Sequence, residues 1–89
     1  MAAPGGWFTC RVQLAGPAED GKIYIHLKDE LGAFESWFFA YDSIKQEMLA
    51  TALTAISTGF PVSAALTSSD EYSQIERLYP TFRRRSRRN

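Results

Sequence analysis

Trp37-Phe38-Phe39-Ala40-Tyr41-Asp42-Ser43-Ile44-Lys45-Gln46-Glu47-Met48-Leu49-Ala50-Thr51-Ala52-Leu53-Thr54-Ala55-Ile56-Ser57-Thr58-Gly59-Phe60-Pro61-Val62-Ser63-Ala64-Ala65-Leu66 decides the fold. Its middle predicts a helix of about four turns, ending near Thr58. Ile44, Met48, Ala52, Ala55 and Ile56 fall along one stripe, widened by Leu49 and Leu53, while Lys45, Glu47, Thr51 and Thr54 take much of the rest. Ser43 with Gln46 reads as a capping box, and Asp42 competes for the same role. Gly59 stands where a helix-terminating glycine belongs, and Pro61 prevents continuation. On either side the pattern changes to strand. Glu35 to Tyr41 is rich in aromatics, with Trp37, Phe39 and Tyr41 alternating with Phe38 and Ala40. Pro61 to Thr67 alternates through Val62, Ala64 and Leu66.

Working outward, Trp7 to Ala15 reads as a strand with Phe8, Cys10, Val12 and Leu14 on its apolar face. A turn over 16–21 ends in Asp20-Gly21, a hairpin signal. Lys22 to Lys28 is a second strand, Ile23, Ile25 and Leu27 alternating with Tyr24 and His26. A polar turn over 29–33 leads to the aromatic strand. The last strand lies within Tyr72 to Phe82, where Ile75, Arg77 and Tyr79 oppose Glu76 and Leu78. Pro80 marks that end as an edge, because proline donates nothing to a ladder. The order is β-β-β-α-β-β. One helix cannot cover both faces of five strands, so the sheet must curl around it or bury a face in a neighbouring subunit. The expected class is α+β, mainly β: an OB-like small barrel with one central helix. Residues 1–6 are a flexible lead, 7–82 the single domain and 83–89 a basic tail expected to be disordered.

Charge divides the same way. The chain has 89 residues and a formal net charge of zero. All ten acidic residues precede Phe82, opposed there by five basic ones, so the domain carries −5 and the tail +5. An apolar content of 45% excludes a wholly disordered chain. Cys10 is the single cysteine, which excludes an intramolecular disulfide framework. No run approaches 18 apolar residues, so no membrane-spanning helix is expected. Met1 to Gly6 shows no leader pattern, so the expected location is cytoplasmic, or secreted if a leader has been removed. A domain this small buries roughly 60–65% of its unfolded surface and gains from oligomerisation.

Catalysis finds little footing. His26 is the single histidine, in mid-strand opposite Ile25, and reads as a packing residue. Cys10 lies on an apolar face without a local histidine and reads as a buried structural thiol. No CxxC, HExxH, GxGxxG or P-loop pattern occurs, so no metal, cofactor or nucleotide motif is present and no enzyme is expected. Asp29-Glu30 and Asp70-Glu71 are acidic pairs in turns, read as solvated, with weak cation binding as the sharper alternative.

Three features point to binding. The rings of Phe34, Trp37, Phe38, Phe39 and Tyr41 serve as core, as subunit interface, or as a stacking platform for a sugar or base. Tyr24, His26, Trp37 and Phe39 are the candidate ligand-binding residues. Trp37, Phe38, Met48, Ala52, Ala55 and Tyr79 are the candidate interface residues. Small side chains on the helix allow close approach, and an unprotected edge invites pairing with another chain. Arg83, Arg84, Arg85, Arg87 and Arg88 would neutralise phosphates in a salt-sensitive, sequence-independent way. They would equally pair with the acidic surface of an oligomer, or be an appendage without function. The acidic domain itself repels nucleic acid.

The element order and texture resemble the B subunits of bacterial AB5 toxins, of the pertussis and subtilase OB-fold type. The resemblance is carried by Trp37 to Tyr41, by Ile44 through Gly59 with its Ala-rich face, by Pro61 to Leu66 and by Tyr72 to Tyr79. It covers about half the chain. It implies a ring-shaped oligomer, commonly a pentamer, whose helices line a central pore and whose edge strands pair between subunits. Members of that family bind cell-surface glycans. The expected function is therefore a non-enzymatic, ring-like oligomeric binding module with a glycan or protein ligand. The alternatives are a small OB-fold nucleic-acid-binding protein using the arginine tail, or a purely structural assembly subunit.

Overall fold

The computed structural model describes residues 5–81; the arginine tail lies outside them. The strands are β1 (Gly6–Pro17), β2 (Ile23–Asp29), β3 (Glu35–Ala40), β4 (Val62–Leu66) and β5 (Gln74–Pro80), and the helix is α1 (Lys45–Thr58). The strands close into a barrel in the order β1-β2-β3-β5-β4. Every pairing is antiparallel except β3 with β5. The expected small, mainly-β domain with one helix is what forms, and closure removes most of the exposed edge that five strands would otherwise present.

β1 makes closure possible by serving two neighbours. Its residues from Gly6 to Cys10 pair with β4, and those from Cys10 to Pro17 pair with β2. The register slips between Val12 and Leu14, so Gln13 is an extra residue that bends the strand. The slip also reverses the alternation. Cys10 is fully buried, but Leu14 is 57% exposed and Ala15 turns inward to pack on the core. Leu14 therefore does not continue the apolar face as its spacing predicts.

A second slip, between Ala65 and Leu66, changes β5. Leu66 opposes Ile75 while Ala65 opposes Arg77, which leaves Glu76 unpaired in the ladder. Ile75 and Leu78 face the core, and Arg77 and Tyr79 face out. The predicted grouping of Ile75 with Arg77 and Tyr79 is corrected accordingly. β5 has β3 beside it only at Gln74 and Ile75, so Pro80 falls in the half that has β4 as its single strand neighbour.

The helix meets the barrel through Met48, Ala52 and Ala55, spaced i, i+4 and i+7, and packs on β1, β2, β3 and β5. Alanine at two of the three positions lets the backbone approach closely. That stripe is narrower than predicted: Ile44, Leu53 and Ile56 stay exposed on its flanks. The capping box does not form. Ile44 takes the N-cap position without a side-chain cap bond, and Ser43 lies in a 3-10 turn over Asp42–Ile44. Asp42 instead pairs with Lys45 Nζ at 3.3 Å. The C-terminal reading holds: Gly59 has φ 78°, a left-handed conformation that suits glycine, and its N–H bonds Ala55 O at 2.8 Å.

The outward side of α1 is unusual for a surface. No charged residue occurs between Glu47 and Asp70. The hydroxyls of Thr51, Thr54, Ser57 and Thr58 donate back to carbonyls of the helix's own preceding turn. The helix thus presents Leu53, Ile56 and inwardly satisfied hydroxyls. Among the described residues, no helix is long and apolar enough to cross a membrane.

The core consists of Cys10, Ile23, Ile25, Leu27, Phe38, Ala40, Val62, Ala64, Leu66, Ile75 and Leu78, with the three helix residues. This corrects four interface expectations. Phe38, Met48, Ala52 and Ala55 are buried within the subunit and have no surface to offer a neighbour. Tyr79 is exposed and stacks on Trp7, with centroids 5.7 Å apart.

Candidate functional site

Strand alternation sorts the aromatic residues cleanly. With Ile23, Ile25 and Leu27 inside, Tyr24 and His26 must lie on the outer wall of β2; with Phe38 and Ala40 inside, Trp37 and Phe39 lie outside on β3. The antiparallel register then sets Tyr24 opposite Phe39 and His26 opposite Trp37. The four predicted ligand-binding side chains are thereby brought together on one outer face. All four are half-buried.

The rows extend onto neighbouring strands. Leu14 of β1 is the register partner of His26, and Gly16 is that of Tyr24. His26 meets Trp37 edge-on, with centroids 5.1 Å apart at 74°. Its Nδ1 is covered and has no hydrogen-bond partner. Lys22 Nζ sits 4.5 Å from the centroid of Phe39, a cation–π contact. Tyr41, expected on this face, follows the end of β3 and is exposed.

Two loops frame the face. From the β1–β2 loop, Asp20 accepts hydrogen bonds from Lys22 N–H at 3.0 Å and Tyr24 O–H at 2.9 Å. These bonds stabilise the carboxylate and hold its pKa below the ordinary value, the backbone donor being the larger cause. The same bond to Asp20 raises the Tyr24 phenol, because ionisation would remove the donated proton. From the β4–β5 loop, Tyr72 sets its ring at right angles to Tyr24, centroids 6.2 Å apart. Tyr72 has φ 65°, and its N–H bonds Trp37 O at 2.6 Å. An aromatic residue pays strain to hold the left-handed region, and such residues cluster at functional positions. Between β1, the two loops and the rings runs an open groove of about 950 Å³.

Leu14, Gly16, Asp20 and Tyr72 belong to this site and were not singled out as ligand-binding residues by sequence. Leu14 is hidden by the bulge, and nothing in the residue pattern marks a tyrosine as left-handed. Asp20 did stand out, as half of the hairpin signal.

The chemistry-bearing residues elsewhere are committed to structure. Cys10 is enclosed, and burial, with added repulsion from Asp29 and Glu30, pushes its thiol up to about 12. The Asp29-Glu30 pair is not simply solvated. Asp29 is 4% exposed and accepts the Ala33 N–H at 2.9 Å, while Glu30 pairs with Arg11 at 3.5 Å. Among the described residues, no three His, Cys, Asp or Glu side chains gather to hold a metal ion. Compared with known proteins, the chain matches no family model, no curated sequence and no solved structure.

Proposed function

We propose that this chain is a non-enzymatic, OB-like binding module that works as a ring-like oligomer and takes a glycan through the outer face of β2 and β3. One observation carries the reading: Tyr24, His26, Trp37 and Phe39 are paired across β2 and β3 on a wall outside the core, and two of them, Tyr24 and Trp37, line a groove. Flat apolar rings bordered by hydrogen-bonding groups suit the faces of sugars. The OB-like assignment is supported by the closed order β1-β2-β3-β5-β4 with the helix between β3 and β4. The non-enzymatic reading is supported by the enclosure of Cys10, whose thiol burial pushes up to about 12. Oligomerisation is supported by the uncharged stretch of α1 from Met48 to Thr58, with Leu53 and Ile56 exposed on a domain whose net charge is negative.

The nucleic-acid reading would use the same rings, but the charged residues lining the groove are Glu19 and Asp20, which repel phosphates. A glycan array probed with the native protein and with Trp37→Leu tests the ligand. Retention by sugars that is lost in the variant is expected; equal retention removes the face from the function. Light scattering tests the assembly, and a strictly monomeric mass at micromolar concentration overturns the ring.

A further inference from the structure

The groove has a sharper chemistry than its aromatic face alone. Its walls are Tyr24, Trp37 and Tyr72, and its floor runs along Gly16 and Pro17. Its charged lining residues are Glu19 and Asp20, both acidic. Lys22 and Lys45 do not line it: Lys22 lies over Phe39 while its charge also reaches Asp20, and Lys45 bonds Gly21 O and pairs with Asp42. Rings bearing negative potential on their faces, two carboxylates and, among the described residues, no lining cation make a cavity that favours positive charge. Tyr24 and Tyr72 stand at 88° to each other, so together they form a corner rather than a flat shelf. A corner of this kind encloses a rounded group better than a planar one. A small inorganic cation would lose its hydration for ring faces that offer few oxygens. A bulky ammonium, weakly hydrated and apolar on its outside, loses little and gains contact with every wall.

We propose that this groove binds an organic cation through an alkylated ammonium head group. The left-handed Tyr72 supplies an independent argument: its strain is sustained by the bond from its N–H to Trp37 O, and it places a third ring where the core gains nothing. Gly16 leaves the floor open, since a Cβ there would meet no atom within 4 Å. The proposal rests on the β2–β3 face being a binding surface, and not on a sugar being its ligand.

The test uses choline and its neutral isostere 3,3-dimethylbutan-1-ol, titrated into the intact protein while the two tryptophan indole N–H signals are followed by NMR. Trp7, stacked on Tyr79 away from the groove lining, is the internal reference. Choline is expected to move the Trp37 signal saturably, and the isostere to bind about tenfold more weakly. Asp20→Asn weakens choline several-fold. Gly16→Leu blocks it while leaving the melting temperature unchanged, because the added side chain enters the groove and not the core. Equal binding of choline and isostere overturns the proposal, as does a Trp37 signal that moves no more than that of Trp7. If a glycan engages Trp37 and choline does not, the inference fails and the binding face stands. If neither engages it, both fail.

Discussion

His26 and Trp37 face each other across the β2–β3 ladder as direct register partners, the rings edge to face at 5.1 Å. Both side chains lie outside the buried core, yet His26 Nδ1 is covered. Such a pair couples by about 0.5–1.5 kcal/mol beyond the area it buries. A double-mutant cycle with His26→Ala and Trp37→Ala, followed by urea unfolding, should return a coupling in that range. A value indistinguishable from zero would mean that the rings touch without mutual stabilisation.

Asp20 offers a titration that reads the loop directly. Its carboxyl is held below the ordinary aspartate value by the Lys22 N–H and the Tyr24 hydroxyl. A carboxyl depressed in the folded state contributes stability that is present above its unfolded pKa and lost as pH falls through the folded one. The window is therefore acidic, below about pH 4. NMR should place the Asp20 midpoint below that of an unstructured aspartate, and Tyr24→Phe should move it upward. An unchanged midpoint in the variant would leave the backbone donor as the whole cause.

Ala52 and Ala50 separate the two sides of the helix. Ala52 is fully buried against the barrel and Ala50 is exposed. Ala52→Leu should cost about 1–3 kcal/mol through overpacking, with a lowered melting temperature. Ala50→Leu should stay within about 0.5 kcal/mol in the monomer, as surface substitutions do. Equal effects would place the helix in a different rotation about its axis.

Cys10 should resist thiol reagents. Full burial and a pKa pushed up to about 12 leave almost no thiolate at neutral pH. Modification by a disulfide reagent should be slow in native buffer and fast in denaturant, at a rate governed by unfolding. Rapid native labelling would show that β1 opens locally near its junction with β2 and β4.

Legibility in the sequence followed local periodicity. Strand-by-strand alternation grouped Tyr24 with His26 and Trp37 with Phe39 but left open which set faces inward, and the barrel's register brings both pairs to one outer side. Gly59 announced the end of α1. What escaped were departures from periodicity. Gln13 and Glu76 are single extra residues, and each reverses the faces beyond it; neither carries a side chain that marks a bulge. The helix misled differently. Its apolar residues spread over more than a stripe, and only packing against the barrel could choose Met48, Ala52 and Ala55 over Ile44 and Ile56. The groove was unreadable because it is assembled from two loops and the rebounding end of β1, which meet only after closure.

The seam between β3 and β5 has a kinetic meaning. It is two residue pairs long, Phe39 with Gln74 and Ala40 with Ile75, whereas the hairpin pairs β1–β2 and β2–β3 extend much further. Those hairpins join neighbours in the chain and cost little loop entropy to form, while the seam must wait for the helix and β4 to return the chain. Zipping of the meander before the cylinder locks is the order this implies, and breathing runs it in reverse. The amides of Phe39 and Tyr41, bonded to Ser73 O and Ile75 O, are the latch. Because Tyr72 adjoins that latch, each opening of the cylinder also takes apart one wall of the groove.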